Sequence, residues 1–294
     1  MIIPNQSNLK VHFAGVETLS HFACVNAADI QYSLFTVFPF ILSKIKNGGS
    51  PTFTNIPEVI NNNSRHTIMD SGLFSLMFGS YKGQKDRTFI ERWMQLIIEF
   101  VNVTGYKGTC VEVDCQKVLG VDEAWQFREY MKNHLSNRLI NVFHMEDGQK
   151  GLDRLIEYSD YIALSIPELR LVGKKDYTYR LACYVKNKKP TIDIHLLGCT
   201  ENKLLEQCKF CSTSDSTSWL APAKYGVIDI VGKKVRNKDI KKDIFIEQYK
   251  NKLENVFNKF EINITEKSYL YSSILIYQAE QLKIKYSKYA GSQD

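Results

Sequence analysis

The sequence His-Thr-Ile-Met-Asp-Ser-Gly-Leu-Phe-Ser-Leu-Met-Phe-Gly, residues 66–79, is the most informative part of the chain about its architecture. A short apolar run ends at the carboxylate of Asp70, and the chain breaks at Ser71 and Gly72 before a second apolar segment. This pattern is typical of a buried strand that ends at a ligand, because the turn carries the polar group and Gly72 permits a sharp bend. The alternative is an ordinary strand end at which Asp70 caps the next helix.

Outward from this stretch, short apolar runs alternate with longer amphipathic segments. We predict strands at residues 11–16, 66–70, 109–114, 139–144, 161–166 and 191–197, at the segment that carries Asp215, and at 227–231. The long segment that contains Phe35, Phe38, Phe40 and Leu42 is predicted to be helical, as are residues 86–101, 121–135, 151–158, 244–260 and 269–284.

About eight alternating units predict an α/β protein with a closed (β/α)8 TIM barrel and extra N- and C-terminal helices. An open doubly wound sheet is the alternative architecture. Residues 1–294 are interpreted as one domain, with 240–294 as a C-terminal helical extension packed on the barrel.

Composition is that of a globular enzyme, with 44% hydrophobic and 24% charged residues. There is no run of 18 apolar residues, and the first residues do not resemble a signal peptide, so we expect a cytoplasmic protein without a membrane segment. Seven cysteines, an odd number, indicate free thiols rather than a disulfide framework.

Polar residues recur where the predicted strands end. In a barrel these ends form one mouth, which would bring together Asp70, Asp114, His144, Ser165, Gly198 and Asp215. Three carboxylates are costly to keep charged together, so a structural role for all three is disfavoured. They suit chemistry at a sugar carbon, where one carboxylate attacks and another handles protons.

Three segments resemble those of tRNA-guanine transglycosylases. Met-Asp-Ser-Gly-Leu-Phe-Ser, at 69–75, is similar to their Asp-Ser-Gly-x-Phe-Gln segment, and His-Leu-Leu-Gly, at 195–198, to their Leu-Met/Phe-Gly segment. Ser-Asp-Ser-Thr-Ser-Trp, at 214–219, resembles the Phe-Asp-Ser-Ala-Ser-Tyr nucleophile motif of the archaeal branch. Order and approximate spacing agree from Val11 to about Gly232, and the combination on one barrel pattern is more specific than any single motif.

The departures from the family are also informative. Its zinc site, a Cys-x-Cys-x-x-Cys followed by a distant His, has no counterpart, and neither do the RNA-binding domains of archaeal members. Compact, divergent members from phages and genomic modification clusters, called DpdA, place 7-deazaguanines in DNA. The short chain and loosened motifs resemble that branch most, which would place the protein in a host cytoplasm if a phage encodes it.

The resemblance implies roles for individual residues. Asp215 would attack C1′ of a deoxyguanosine and expel guanine, and Asp70 would act as general acid/base toward the incoming 7-deazaguanine, such as preQ0. The base would be bound by residues at the strand ends, namely Ser71, Gly72, Asp114, His144, Ser165 and Gly198. Asp114 matches by position alone. For His144 the alternative is a core histidine, and His195 is expected to be structural.

Two basic clusters suggest a nucleic-acid partner. One lies among tyrosines at 174–189 and the other at 233–242, and their candidate phosphate contacts are Lys174, Lys175, Arg180, Lys233, Lys234 and Arg236. Basic residues interleaved with aromatics suit phosphates and unstacked bases, although a solvated helix face gives the same pattern. We expect DNA as the partner, with tRNA as the alternative.

The cysteines raise the question of a metal. Cys208 and Cys211 form a Cys-x-x-Cys pair, and Cys199 is near in sequence. A structural zinc needs four ligands, so we expect no cofactor, with zinc through these cysteines as the alternative. Two further functions stay open, a catalytically inactive nucleic-acid-binding barrel and a plain glycoside hydrolase. Trp219 either stacks on a base or closes the barrel.

Overall fold

A computed structural model describes residues 7–46, 66–78, 83, 86–174, 176–230, 233–263 and 265–291, apart from some side chains within these ranges. Eight parallel strands form a closed barrel in chain order, which confirms the predicted (β/α)8 architecture. The strands are β1 Lys10–Ala14, β2 Tyr32–Thr36, β3 His66–Asp70, β4 Thr109–Val111, β5 Leu139–Phe143, β6 Tyr161–Ser165, β7 Asp193–Leu197 and β8 Thr213–Ser216.

Helices surround the strands. They are α1 Leu19–Ala27, α2 Phe38–Lys46, α3 Leu73–Phe78, α4 Arg87–Thr104, α5 Gln116–Leu119, α6 Val121–His134, α7 Gly148–Tyr158, α8 Ile166–Leu171, α9 Tyr177–Lys188, α10 Asn202–Gln207, α11 Ala221–Tyr225, α12 Lys242–Lys259 and α13 Glu266–Ser287. After α11, β9 Val227–Ile230 and β10 Lys233–Arg236 form an antiparallel hairpin outside the barrel.

Two details of the predicted barrel are wrong, although residues 227–230 do form a strand as predicted. Residues 227–231 are predicted to complete the barrel, but β9 pairs with β10 in a separate two-stranded sheet, and the barrel strand that the prediction omits is β2. The phenylalanines at 35–40 suggest one helix, yet Phe35 lies on a strand whose alternate side chain, Leu34, faces the lumen. A five-residue strand followed almost directly by a helix places its apolar residues at intervals that resemble those of a single helix. The predicted extra N-terminal helix is therefore β2 together with α2, and both belong to the barrel.

The two C-terminal helices are present, and α13 packs directly on the barrel wall. Tyr286 of α13 contacts Phe13 of β1 edge to face, and its hydroxyl lies 3.5 Å from Ser216 Oγ of β8. The Tyr289 carbonyl accepts a hydrogen bond from the Leu9 amide at the start of β1. Because α11 has only five residues, α13 takes the place of the eighth helix, over the seam between β8 and β1. No helix within the described ranges combines the length and apolar composition needed to cross a membrane.

The alternation of side chains along each strand separates two cores. The lumen holds Ala14, Leu34, Ile68, Val111, Ile140, Val142, Tyr161 and Ala163, while a larger apolar layer lies between strands and helices. A residue two positions after one of these lumen residues also faces the lumen, but lies closer to the C-terminal mouth. Asp70 follows Ile68 and His144 follows Val142 in this way, which explains why the strand ends carry the polar groups.

Candidate active site

Six consecutive strands bring the candidate residues to the C-terminal end of the barrel. Asp70 ends β3, Asp114 follows β4, and His144 follows β5. Ser165 ends β6, Gly198 follows β7, and Asp215 lies in β8. These are the six positions that the sequence predicted for one mouth, and barrel closure places them around it.

Asp70 is enclosed by its own turn. Its Oδ1 accepts a hydrogen bond of 2.7 Å from the Gly72 amide, and Thr36 of the adjacent β2 also contacts the carboxyl. Burial raises the pKa of Asp70 to about 6 against the effect of the Gly72 hydrogen bond, and the charges of Asp215 and Asp114 also raise it. A carboxyl with such a pKa can hold or release a proton near neutral pH.

The turn after Asp70 requires glycine. Gly72 has φ +73°, and a Cβ there would lie 2.7 Å from Phe38 Cβ. The Ser71 carbonyl behind it accepts a 2.9 Å hydrogen bond from Trp93 Nε1 of α4. The Asp70 carboxyl is therefore held by a backbone loop that α2 and α4 support from outside.

Asp215 is oriented by the strand beside it. The Gly198 amide donates a 2.6 Å hydrogen bond to Asp215 Oδ1, and Gly198 adopts φ +66°. Beneath the carboxylate, His195 Nε2 lies 3.3 Å from the same oxygen but forms no hydrogen bond with it. One oxygen is thus fixed, and the side chain as a whole is 14% exposed, so the carboxylate remains accessible.

His195 stands on a polar column inside the barrel. Thr213 Oγ1 lies 2.8 Å from His195 Nδ1 and also hydrogen-bonds to the hydroxyl of Tyr161. From the sequence we expect only a structural role for His195, and its contact with Asp215 is not predicted. The alternation of side chains along β7 and β8 could have suggested this contact. His195 pairs with Thr213 in the sheet, and Asp215, two residues further on, faces the same side.

A second charged group lies across the mouth. His144 Nε2 is 2.6 Å from Asp114 Oδ1, and its Nδ1 is 2.8 Å from Glu168 Oε2. Burial alone lowers the pKa of His144, but these two carboxylates outweigh it and raise the pKa to about 10. Because both ring nitrogens are engaged, the imidazolium orients Asp114, which is 31% exposed and can receive hydrogen bonds from a ligand.

Glu168 is the site residue that the sequence did not reveal. Ser165 caps α8, accepting a 3.4 Å hydrogen bond from the Glu168 amide, and this helix start aims the Glu168 carboxylate at His144. The neighbouring Pro167 lies against Gly198, where a Cβ would come within 3.0 Å of its ring. The spacing Ser-x-x-Glu is a capping signature and could have drawn attention to this helix.

The basic residues of the first cluster divide between the two ends of the barrel. Lys174 and Arg180 are exposed in the segment that follows the C-terminal end of β6, on the side of the mouth. Arg236 is exposed at the end of β10. Lys175 and the side chains of Lys233 and Lys234 lie outside the described residues. The remaining lysines of the first cluster lie at the far end of α9, where the ammonium groups of Lys186 and Lys189 donate to backbone carbonyls near the starts of β6 and β7.

The cysteines and Trp219 are internal. Cys199, Cys208 and Cys211 are fully buried, and burial raises the pKa of the Cys199 thiol to about 12. Within the described part of the chain, no three or more His, Cys, Asp or Glu side chains are arranged to hold a metal ion. Trp219 is completely buried and donates a 2.8 Å hydrogen bond to the Ala14 carbonyl, so it closes the barrel between β8 and β1.

Sequence comparison with known proteins identifies no relative from which the roles of these residues could be inferred. No protein-family model matches the chain, and no curated protein is significantly similar to it in sequence.

Proposed function

We propose that the protein is a guanine transglycosylase that exchanges guanine in DNA for a 7-deazaguanine base. The observation that carries this proposal is the pair Asp70 and Asp215, two carboxyl groups at one barrel mouth in different surroundings. A glycine amide holds one oxygen of each, but Asp70 has a pKa raised to about 6, chiefly by burial, and the Asp215 side chain is 14% exposed above His195. Environments that differentiate two carboxyl groups support an acid/base role for one and a nucleophilic role for the other.

In the first displacement, the second oxygen of Asp215 bonds to C1′ of the deoxyguanosine. The bond from C1′ to the ring nitrogen of guanine breaks, its electron pair stays on that nitrogen, and protonated Asp70 supplies the proton. In the second displacement, Asp70 removes a proton from the corresponding nitrogen of the 7-deazaguanine. That nitrogen attacks C1′, and Asp215 leaves as a carboxylate. Two inversions retain the configuration at C1′.

The remaining polar groups suit recognition of a guanine-like base. Asp114 presents an acceptor fixed by the His144 imidazolium, which fits the adjacent N–H donors on one edge of guanine. The turns at Gly72 and Gly198 bring backbone close to the two carboxylates. A base must leave the helical stack before Asp215 can reach its sugar, so base flipping is part of the proposal.

DNA is preferred over tRNA as the partner because the motifs resemble the compact DNA-modifying branch most. The exposed Lys174, Arg180 and Arg236 supply positive charge that suits a phosphate backbone in either case. The choice of DNA therefore rests on the resemblance rather than on charge.

The test is exchange of radiolabelled guanine into nucleic acid by the purified protein. Wild type should incorporate label into duplex DNA, and Asp215→Asn should abolish both incorporation and any covalent DNA adduct resolved by denaturing gel. The amide is isosteric, so circular dichroism and melting temperature should match wild type. Asp193→Asn, at the opposite end of the barrel, is the matched control and should stay active.

Each alternative has its own outcome in this assay. Label in tRNA but not in DNA at matched salt would replace DNA by tRNA as substrate. Binding without incorporation in either would favour an inactive nucleic-acid-binding barrel. An adduct trapped on Asp215→Asn would refute the assignment of the nucleophile.

A further inference from the structure

The helix α8 ends in an exposed apolar tip formed by Leu171 and Val172. Their exposed fractions are 87% and 51%, and Leu171 is the most exposed large apolar side chain in the described part of the protein. A single exposed leucine is ordinary, but two adjacent apolar residues at the rim of a polar mouth present apolar surface where a ligand approaches.

The tip is held in a fixed position. Ile166 and Leu169, three residues apart, are buried and attach one face of α8 to the core, so Leu171 lies on the opposite face. The helix ends in a closed turn in which Gly173, at φ +68°, donates to the Arg170 carbonyl and the Lys174 amide donates to the Leu169 carbonyl. The exposed side chains therefore sit on a rigid turn.

The same short helix reaches into the active site. Its first turn carries Pro167, which packs on Gly198, and Glu168, which binds His144. Leu171 is four residues beyond Pro167, about 6 Å along the axis at the rise of an α-helix. The tip therefore lies about one helical turn from the residues that contact Gly198 and His144 at the mouth.

Charge around the tip suits a phosphate backbone. Arg170, Lys174 and Arg180 are exposed around it, and the last two lie 5.7 Å from the ring centroid of the exposed Tyr177. Asp176 is the exposed carboxylate beside them. An apolar point within a basic surface is the combination used by proteins that insert a side chain between base steps.

We infer that Leu171, with Val172 beside it, is a wedge that enters duplex DNA and fills the space left by the guanine turned out toward Asp215. This rests on the proposed function. The wedge would matter only where the target base is stacked and paired, because a single strand has no cavity to fill. Leu171 thus contributes to substrate opening and touches none of the reacting atoms.

The experiment compares exchange of labelled guanine into two DNAs of the same sequence, one a fully paired duplex and one a single strand. Leu171→Ala should lower kcat/KM on the duplex by about tenfold or more, since removing the filling side chain leaves the opened stack uncompensated. On the single strand the change should stay within about twofold. Leu171→Met, which keeps a long apolar side chain, should restore most of the duplex rate.

A second readout follows opening of the stack. With 2-aminopurine next to the target guanine, wild type should raise the fluorescence of the duplex on binding, and Leu171→Ala should not. Ile284→Ala removes a similarly large side chain, 69% exposed on the last turns of α13, and is the matched control. It should behave as wild type in both assays.

Equal reductions on both DNAs would show that the tip supports the fold or general binding, and would overturn the wedge. Unchanged duplex exchange in Leu171→Ala would also overturn it and would leave the tip as a surface for another macromolecule. In both cases the wild-type activity stands. A wild type that exchanges guanine in neither DNA would instead refute the proposed function, and the wedge with it.

Discussion

At the scale of single residues, the mouth separates two aspartates by their surroundings. Each carboxyl group accepts a hydrogen bond from a glycine amide, and burial disfavours the charged form of Asp70, while the Asp215 side chain is 14% exposed. Asp215 itself contributes to the raised pKa of Asp70. The two carboxyl groups are therefore coupled, and chemistry at one should change proton affinity at the other.

This coupling predicts two different pH profiles. In the proposed mechanism the first displacement needs protonated Asp70, so kcat/KM for DNA should fall as pH rises through about 6. The second needs ionised Asp70, so kcat/KM for the free base should fall as pH decreases. In the proposed covalent intermediate Asp215 would be an uncharged ester that no longer raises the pKa of Asp70, so this acid limb should lie below pH 6.

Steady-state kinetics with each substrate varied in turn separates these limbs, because a covalent intermediate gives ping-pong behaviour. Asp70→Asn should remove both limbs and slow turnover by about 10²-fold or more. Two profiles with the same inflection in the same direction would contradict the assigned role of Asp70.

At the scale of elements, the short strand β4 is held by a buried ion pair outside the barrel. Arg128 of α6 donates to both oxygens of Glu112, at 2.7 and 2.9 Å, and both side chains are almost fully buried. The Asn141 side chain and the Val142 amide also donate to Glu112. Since Glu112 precedes Asp114 by two residues, this network fixes the start of the loop that presents Asp114 to the mouth.

Removing one partner should be costly. Glu112→Ala leaves Arg128 charged and buried, and the free energy of unfolding should fall by about 3–5 kcal/mol. Urea denaturation at neutral pH measures the change. Glu91→Ala, which removes an exposed partner of Arg87, is the control and should cost no more than about 1 kcal/mol. Equal effects from the two variants would contradict the importance of the buried network.

At the scale of the whole molecule, the barrel orients the basic helix α9 from the mouth toward the opposite end. α9 follows β6 and leads into β7, so its first residues lie at the mouth and its last at the opposite end. Arg180 is on the mouth side, while Lys188 is eight residues further on, about 12 Å along the helix. Lys188 pairs with Asp153 at 3.6 Å, whereas Arg180 contributes to the surface around the tip.

If DNA is the partner, as proposed, this polarity predicts which cations contact it. Replacing Lys174 and Arg180 together by alanine should weaken duplex binding and lower the slope of log K against log salt by about one unit for each phosphate that the substituted side chains neutralise. The effect should be similar for all sequences, because phosphate contacts position the protein without specifying bases. Fluorescence anisotropy at several salt concentrations measures it.

Lys188→Ala is the internal control, since it removes one charge from the same helix at the other end. Its slope should match wild type. An equal reduction in the two variants would indicate nonspecific attraction by net charge rather than a DNA surface around the mouth.

The strand ends could be predicted from the amino-acid sequence. The barrel class and the placement of Asp70, Asp114, His144, Gly198 and Asp215 at one mouth follow from local pattern, because a polar residue after a buried run marks where a strand leaves the core. The C-terminal helices were equally visible, since their apolar residues recur at helical spacing over long segments.

The segments that close the barrel, and the side chains that meet across it, depend on the folded chain. β2 rather than 227–231 completes the wall because pairing partners, and not local propensity, select a barrel strand. The contacts of Glu168 with His144 and of His195 with Asp215 join different elements of the fold, so the sequence can mark these residues as candidates but does not show which side chains meet. Proton affinities at the mouth follow from these contacts, because burial and neighbouring charges exist only once the chain has folded.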